Sequence, residues 1–466
     1  MTMMLFVELS DDLIYNFTKF DIYQWDVTRV ILGWTTYVMG IYFGKLRIGY
    51  LFVFLLYLVI GSNYTILPYT DMKIPIIICK FLALFMVATC SKSSIYHVSG
   101  PYGVGYKEFK LKTGNQPWVS WYYPIDKDFY EKHKTNSEYN VQRLRDGFKT
   151  AEGIATGFNV GPHFIFRYFT QERLYVINDH EIHKDFSTGS KNLIPAIFSH
   201  GLIVNRTNHS YICSEMVSHG CIVYAIDHTD GSCSYFLDTT KNPPVDKIYT
   251  EYNVGIHEFS QEVYRRKQIL TRLDDVKQLL DYIKANELKE LPSINMDKLI
   301  SIGHSMGGMT ALEACYKFKE DFKYCISLDP FFRARFEQIE VNDQFVTQQP
   351  LCMISTEYFH NRKQRFLENY DSMQILLKFF SDVEKFQKDK MHKNYNLIVK
   401  NIYHLNQYDM GMHDGKTLAY FGASTFSWDA AAKMKENNLL IIAFMNENQL
   451  LEVPCILKIS EVHQDS

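Results

Sequence analysis

From about residue 100 the chain alternates short apolar runs with segments of helical spacing. Residues 194–198 are apolar and end in Ser199-His200-Gly201. Residues 221–226 form a second run, ending in Asp227-His228, and residues 299–302 a third, followed at once by Gly303. Residues 325–328 and 351–354 are two more. Between them Ile269, Leu273, Val276, Leu280 and Ile283 step by four, three, four and three, which is one face of a helix. Short strands alternating with helical patterns predict an α/β domain with a mostly parallel sheet. No internal repeat or low-complexity linker interrupts it.

The first 95 residues are patterned differently. Three apolar stretches, at about 30–43, 48–67 and 74–90, follow each other. A bilayer-spanning helix needs about 20 apolar residues. The second stretch meets this; the third carries Lys80, and the first is short and holds Gly33, Gly40 and Gly44. The expectation is an N-terminal helical membrane module over 1–97, with up to three transmembrane helices, before a catalytic domain over 98–466. Lys45 and Arg47, then Lys92, Lys107, Lys110 and Lys112, lie on one side of these stretches. With three spans they place the catalytic domain in the cytosol of a multi-pass membrane protein. The sequons at Asn16 and Asn63 fall on the opposite side.

Composition adds limits. The chain has 466 residues, 47% of them hydrophobic and 15% aromatic, enough for a large core. A net charge of -3, with no Lys/Arg block, excludes a nucleic-acid groove. The nine cysteines are scattered and contain no C-x-x-C pair, which argues against a zinc site, and most of them lie in apolar runs and read as buried thiols.

The chemistry concentrates at Gly303-His304-Ser305-Met306-Gly307, a G-x-S-x-G pattern between a strand and a helical segment. A chain that leaves a strand, turns sharply and enters a helix presents the serine at the apex, and the flanking glycines permit close approach. Serine needs a base, and the base needs an orienting carboxylate. In an α/β-hydrolase fold these follow in the order Ser, acid, His. Asp329 ends a predicted strand and precedes Pro330, whereas Asp321 lies in a polar loop. His404 follows the apolar run 397–399 and precedes a polar loop, with His413 as runner-up; His392 lies in a lysine-rich helix and His463 in the tail. The candidate triad is Ser305, Asp329 and His404. The backbone N–H groups of Leu202, after the Ser199-His200-Gly201 turn, and of Met306 are the candidate oxyanion donors. His200 belongs to that turn rather than to the base. The chemistry calls for no cofactor and no metal.

Several blocks in the same order resemble the plasma-type platelet-activating factor acetylhydrolase family, also called lipoprotein-associated or group VII phospholipase A2. They are residues 100–105 (GPYGVG), 122–124 (YYP), 197–202 (IFSHGL), 217–220 (VSHG), 225–228 (AIDH), 302–308, Leu328-Asp329, 355–359 (STEYF) and 403–406 (YHLN). The resemblance covers about residues 100–423. It implies a calcium-independent esterase acting on the sn-2 acyl group of glycerophospholipids, with acetyl, short or oxidised chains as usual substrates. It implies the same triad and the same oxyanion donors. A phospholipid substrate and a bilayer are the expected partners. The alternatives are a general membrane lipase or carboxylesterase, and a catalytically silent interaction subunit. The chain departs from the family in its N-terminal module, in an insertion at about 365–393, in the tail after about residue 426, and in Asp227, where the family tends to carry glutamate. The insertion would either border the site mouth or pack as a surface helix.

Overall fold

The apolar runs become strands because they are buried on both faces. The computed structural model describes residues 96–157, 172–249, 258–287, 291, 293–332, 345–360, 372–390, 392–409, 430–451 and 458–459. In chain order the strands are β1 (Gly103–Lys110), β2 (Trp118–Ile125), β3 (Ile177–Asn178), β4 (Ile194–Ser199), β5 (Cys221–Ile226), β6 (Tyr235–Asp238), β7 (Val245–Ile248), β8 (Ile300–His304), β9 (Tyr324–Leu328), β10 (Leu351–Thr356) and β11 (Tyr395–Val399). Every residue of β4, β5, β8 and β10 is buried, the signature of strands covered on both sides. The sheet runs β11-β10-β9-β8-β4-β5-β2-β1-β3, and β6 pairs with β7 apart from it. Neighbours from β11 to β5 are parallel. The pairs β5–β2 and β2–β1 are antiparallel, an edge that the apolar runs did not predict.

Helices cross over between the parallel strands: α1 (Ser210–Ser218), α2 (Glu258–Tyr282), α3 (Met306–Lys317) and α4 (Ser372–Phe386), with α5 (Ala430–Glu447) after β11. The predicted face of α2 is the one that packs. Ile269, Leu273, Val276, Leu280 and Ile283 are buried, while Leu270, one residue off the stripe, is exposed. The described part of the 365–393 insertion is mostly α4, which packs as a helix on the domain. Leu376 and Val383 are buried, and Phe379 meets Phe332 and Phe345, each at 5.3 Å between ring centroids. The Gln387 side chain, just past its end, donates to Thr347 O and Gln349 O.

The register brings the carboxyl ends of the parallel strands together. Ser199 lies opposite Gly303, His304 opposite Leu328, and Thr356 opposite Val399. The loops that leave β4, β8, β9, β10 and β11 therefore share one edge, where open α/β sheets place their sites.

One expectation is corrected. No helix among the described residues is long and apolar enough to cross a membrane. The α/β-hydrolase-type domain stands without the transmembrane module and without the multi-pass membrane location read from hydropathy. Residues 1–95, where those stretches fall, lie outside the described residues.

Candidate active site

Ser305 sits between β8 and α3 with φ 58° and ψ −118°, a left-handed conformation that costs a non-glycine residue energy and persists only where its surroundings enforce it. They do: its N–H donates to Leu328 O at 2.8 Å, and its carbonyl accepts from Met309 at 3.1 Å and Phe331 at 3.0 Å. The flanking glycines are required by contact. A Cβ on Gly303 would stand 2.1 Å from Gly307 O, and one on Gly307 would stand 1.9 Å from Ser199 O. The elbow is thus wedged against the end of β4.

Asp329 follows β9, buried, with φ 42°. Its carboxylate accepts from the Thr356 N–H at 2.7 Å and from Thr356 Oγ1 at 2.6 Å. The Oδ2 atom also lies 2.9 Å from His404 Nδ1. A carboxylate there selects the tautomer with the proton on Nδ1 and leaves Nε2 free to act as a base. His404 opens a single 3-10 turn, His404–Gln407. Its ring is stacked by Phe359 at 3.9 Å and 12° and flanked by His304 at 4.4 Å. The structure thus pairs Asp329 with His404 at the edge that carries Ser305. His413, the runner-up, and His463 lie outside the described residues. Asp321 takes a lysine partner, Lys284, away from this edge.

Met306 is the first residue of α3. Its N–H belongs to the first helical turn, which has no intrahelical acceptor and carries the positive end of the dipole. Leu202 follows Gly201 in the turn after β4. His200 O accepts from Arg272 Nη1 at 2.7 Å, and Gly201 O accepts from His200 Nδ1 at 2.6 Å. In a trans peptide the C=O and the next N–H point opposite ways. A Gly201 carbonyl turned onto His200 therefore turns the Leu202 N–H away from it.

Arg272 was missed by pattern reading. It is fully buried in α2 and, besides His200 O, donates to Asp230 Oδ2 at 2.8 Å and Ser232 Oγ at 2.5 Å in the loop after β5, so it fastens the turn after β4 to that loop. The available signal was a charge inside the apolar stripe, three residues after Ile269 and four before Val276. Asp275, on the same helix, accepts from Thr229 N and Oγ1 and from Asn115 Nδ2, each at 2.9 Å; burial raises its carboxyl to about 7. Asp409 was also missed. It accepts from Ser210 N at 2.8 Å and Ser210 Oγ at 2.5 Å, so it caps α1 and ties down the segment that bears His404. Asp227 is engaged by Arg206, through the backbone N–H at 2.6 Å and the guanidinium, and serves the frame.

Burial lowers the basicity of His200, His209, His228 and His304, His209 to about 3. Among the described residues two side-chain groups have the proximity to share a metal ion: His200 with Asp227 and Cys233, and His304 with Asp329 and His404. In the first, both ring nitrogens of His200 are engaged, by Gly201 O and by the His228 N–H at 3.1 Å, and Asp227 holds Arg206. In the second, Asp329 and His404 hold each other. The described cysteines are all free and buried.

Comparison with known proteins shows the family and the fold. The family model described as platelet-activating factor acetylhydrolase, isoform II, matches residues 87–454. A platelet-activating factor acetylhydrolase of Canis lupus familiaris is 27% identical over 394 residues, which cover 79% of this chain and 80% of the relative. One of Bos taurus is 26% identical over 411 residues, covering 82% and 83%. Among solved structures, a ferulic acid esterase from Streptomyces cinnamoneus superposes with a TM-score of 0.51 at 12% identity, covering 78% of this chain and 96% of that one. That likeness supports the fold alone.

Proposed function

The chain belongs to the platelet-activating factor acetylhydrolase, isoform II, family, and from that premise we propose that it is a serine esterase that hydrolyses the sn-2 acyl ester of glycerophospholipids without calcium, favouring acetyl, short or oxidised chains. The observation that carries the reading is the 2.9 Å contact between Asp329 Oδ2 and His404 Nδ1 at the sheet edge where the Ser305 elbow stands. His404 Nε2 takes the Ser305 proton as Oγ attacks the ester carbonyl. Asp329 holds the imidazole in place and stabilises its charged form. The Leu202 and Met306 N–H groups receive the oxyanion. His404 then protonates the lysophospholipid oxygen as it leaves. Water, deprotonated by the same imidazole, releases the acyl group from Ser305. Every proton moves between Ser305, His404, substrate and water, so the route calls for no metal.

The test is hydrolysis of an sn-2 acetyl phospholipid, with and without a calcium chelator, by the protein and by Ser305→Ala. The expected result is chelator-insensitive release of acetate that Ser305→Ala abolishes. Turnover retained by Ser305→Ala would overturn the assignment. Preference for neutral acylglycerols would replace the substrate class with that of a general lipase. A fluorophosphonate that fails to label Ser305 would mark the domain as catalytically silent.

A further inference from the structure

Tyr408 lies four residues beyond His404, at the end of the same 3-10 turn, and is 4% exposed. Its ring is held by three histidines. It meets His304 edge-on at 4.5 Å and 88°, His209 at 4.8 Å and 50°, and His404 at 6.3 Å and 86°. This clamp directs the hydroxyl at the turn after β4. A side chain on Gly201 would begin 2.3 Å from Tyr408 Oη and 3.3 Å from Ser305 Cβ. The phenol oxygen, the nucleophile and the loop that ends in the Leu202 N–H therefore crowd one point.

We propose that Tyr408 is a third oxyanion donor, its Oη–H hydrogen-bonding the ester carbonyl oxygen as negative charge develops there. The inference rests on Ser305 being the nucleophile. A hydroxyl at this place suits the role for two reasons. Burial pushes the phenol above its ordinary value, so it stays protonated and available as a donor at working pH. A donor fixed before reaction costs no reorganisation when the charge appears. Because Tyr408 and His404 close the same turn, base and donor keep their spacing. No proton is transferred: the bond strengthens on attack and weakens when the carbonyl re-forms.

The test is Tyr408→Phe, which keeps the ring between its histidines and removes only the donor. With an sn-2 acetyl phospholipid, kcat is expected to fall about 10- to 100-fold at nearly constant KM, at or below the loss that follows removal of a principal oxyanion donor. The rate of Ser305 labelling by a fluorophosphonate, whose phosphoryl oxygen enters the same hole, should fall alongside. A kcat within about twofold of the parent, or a loss confined to KM, would overturn the proposal. A drop in kcat with unchanged labelling would do the same. If the Phe variant does not fold, Tyr408→3-fluorotyrosine keeps ring and hydroxyl and alters only acidity; an unchanged kcat would then count against the role. Failure of the nucleophile assignment shows separately, as absence of Ser305 labelling in the parent protein.

Discussion

Asp329 holds His404 Nδ1 at 2.9 Å while Thr356 grips the same carboxylate with both its N–H and its hydroxyl. The acid is therefore oriented from β10, a different strand from the one that delivers it. In Asp329→Asn the side-chain NH2 would face Nδ1 and favour the wrong imidazole tautomer. The expected loss in kcat is about 10⁴-fold with the fold intact, read by steady-state kinetics on a short-acyl ester. Thr356→Val, which spares the backbone N–H, should lose less. Near-parental activity in Asp329→Asn would remove Asp329 from the triad.

Arg272 and Asp230 form an ion pair with both side chains buried. Arg272→Met strands a carboxylate in the interior, which costs about 3–5 kcal/mol. Urea unfolding should show this loss. The double replacement of Arg272 and Asp230 by Met should recover part of it, since no charge is then left alone. If the double variant is no better than Arg272→Met, the pair is not the source of the effect.

Gly307→Ala tests how tightly the elbow is wedged. The added methyl collides with Ser199 O, and backbone cannot swing aside as a side chain can. A loss of about 1–3 kcal/mol is expected, together with reduced Ser305 labelling because the clash lies between the elbow and β4. An active variant of parental stability would mean that the two strand ends are looser than described.

Acid should unfold this protein early. His200, His209, His228 and His304 stay neutral in the fold far below 6.5, by burial. The unfolded chain protonates them near 6.5, so below that value it binds more protons than the folded one. Their contribution is complete above about 6.5 and is lost as pH falls towards the value near 3 that marks His209. The slope is up to about 1.4 kcal/mol per pH unit for each. Asp275, raised to about 7, acts in the opposite sense: its contribution is full below 3.8 and lost as pH rises through 7. Asp146, Glu172, Asp227 and Asp409, raised by burial, share that sense, while Glu108, Glu215 and Asp230, held low by partners that outweigh burial, join the four histidines on the acid side. Melting temperatures between pH 8 and 4 should fall steeply on the acid side, less so in His209→Phe. A flat profile would contradict the burial of these neutral rings.

The helix α4 offers a paired control. Leu376 is fully buried and Leu377, its neighbour, is half exposed. Leu376→Ala should cost about 2–5 kcal/mol and Leu377→Ala about 0.5 or less, both by urea midpoint. Equal effects would mean that α4 does not pack on the domain by this face.

What could be read from residues alone was what is local. Strands β4, β5, β8, β9 and β10 were legible as apolar runs, α2 as a stripe, and the elbow as glycines around a serine. Asp329 and His404 followed from strand ends and chain order. Strands β1 and β2 were not, because core positions in them carry tyrosines with polar tips. Tyr106 and Tyr122 are buried and meet edge-on at 5.1 Å, with Tyr106 Oη bonded to Ser120 at 2.7 Å. The supports of the site were hidden for another reason. Arg272 reaches a carbonyl 72 residues away, and Asp409 a helix terminus 199 residues away. Sequence spacing carries no trace of such meetings. The membrane expectation rested on the length of apolar runs, which states what a segment tolerates and not where it lies.

The sheet order separates the proposed nucleophile and base by rank. Ser305 hangs from β8, with strands on both sides, whereas His404 follows β11, one of the two edge strands of the described sheet, hydrogen-bonded to β10 alone. An outer strand opens at lower free energy than an inner one. Loss of the base can therefore precede loss of the fold: on gentle heating, ester hydrolysis should fade while the far-ultraviolet dichroism of the core persists, and return on cooling as β11 re-pairs.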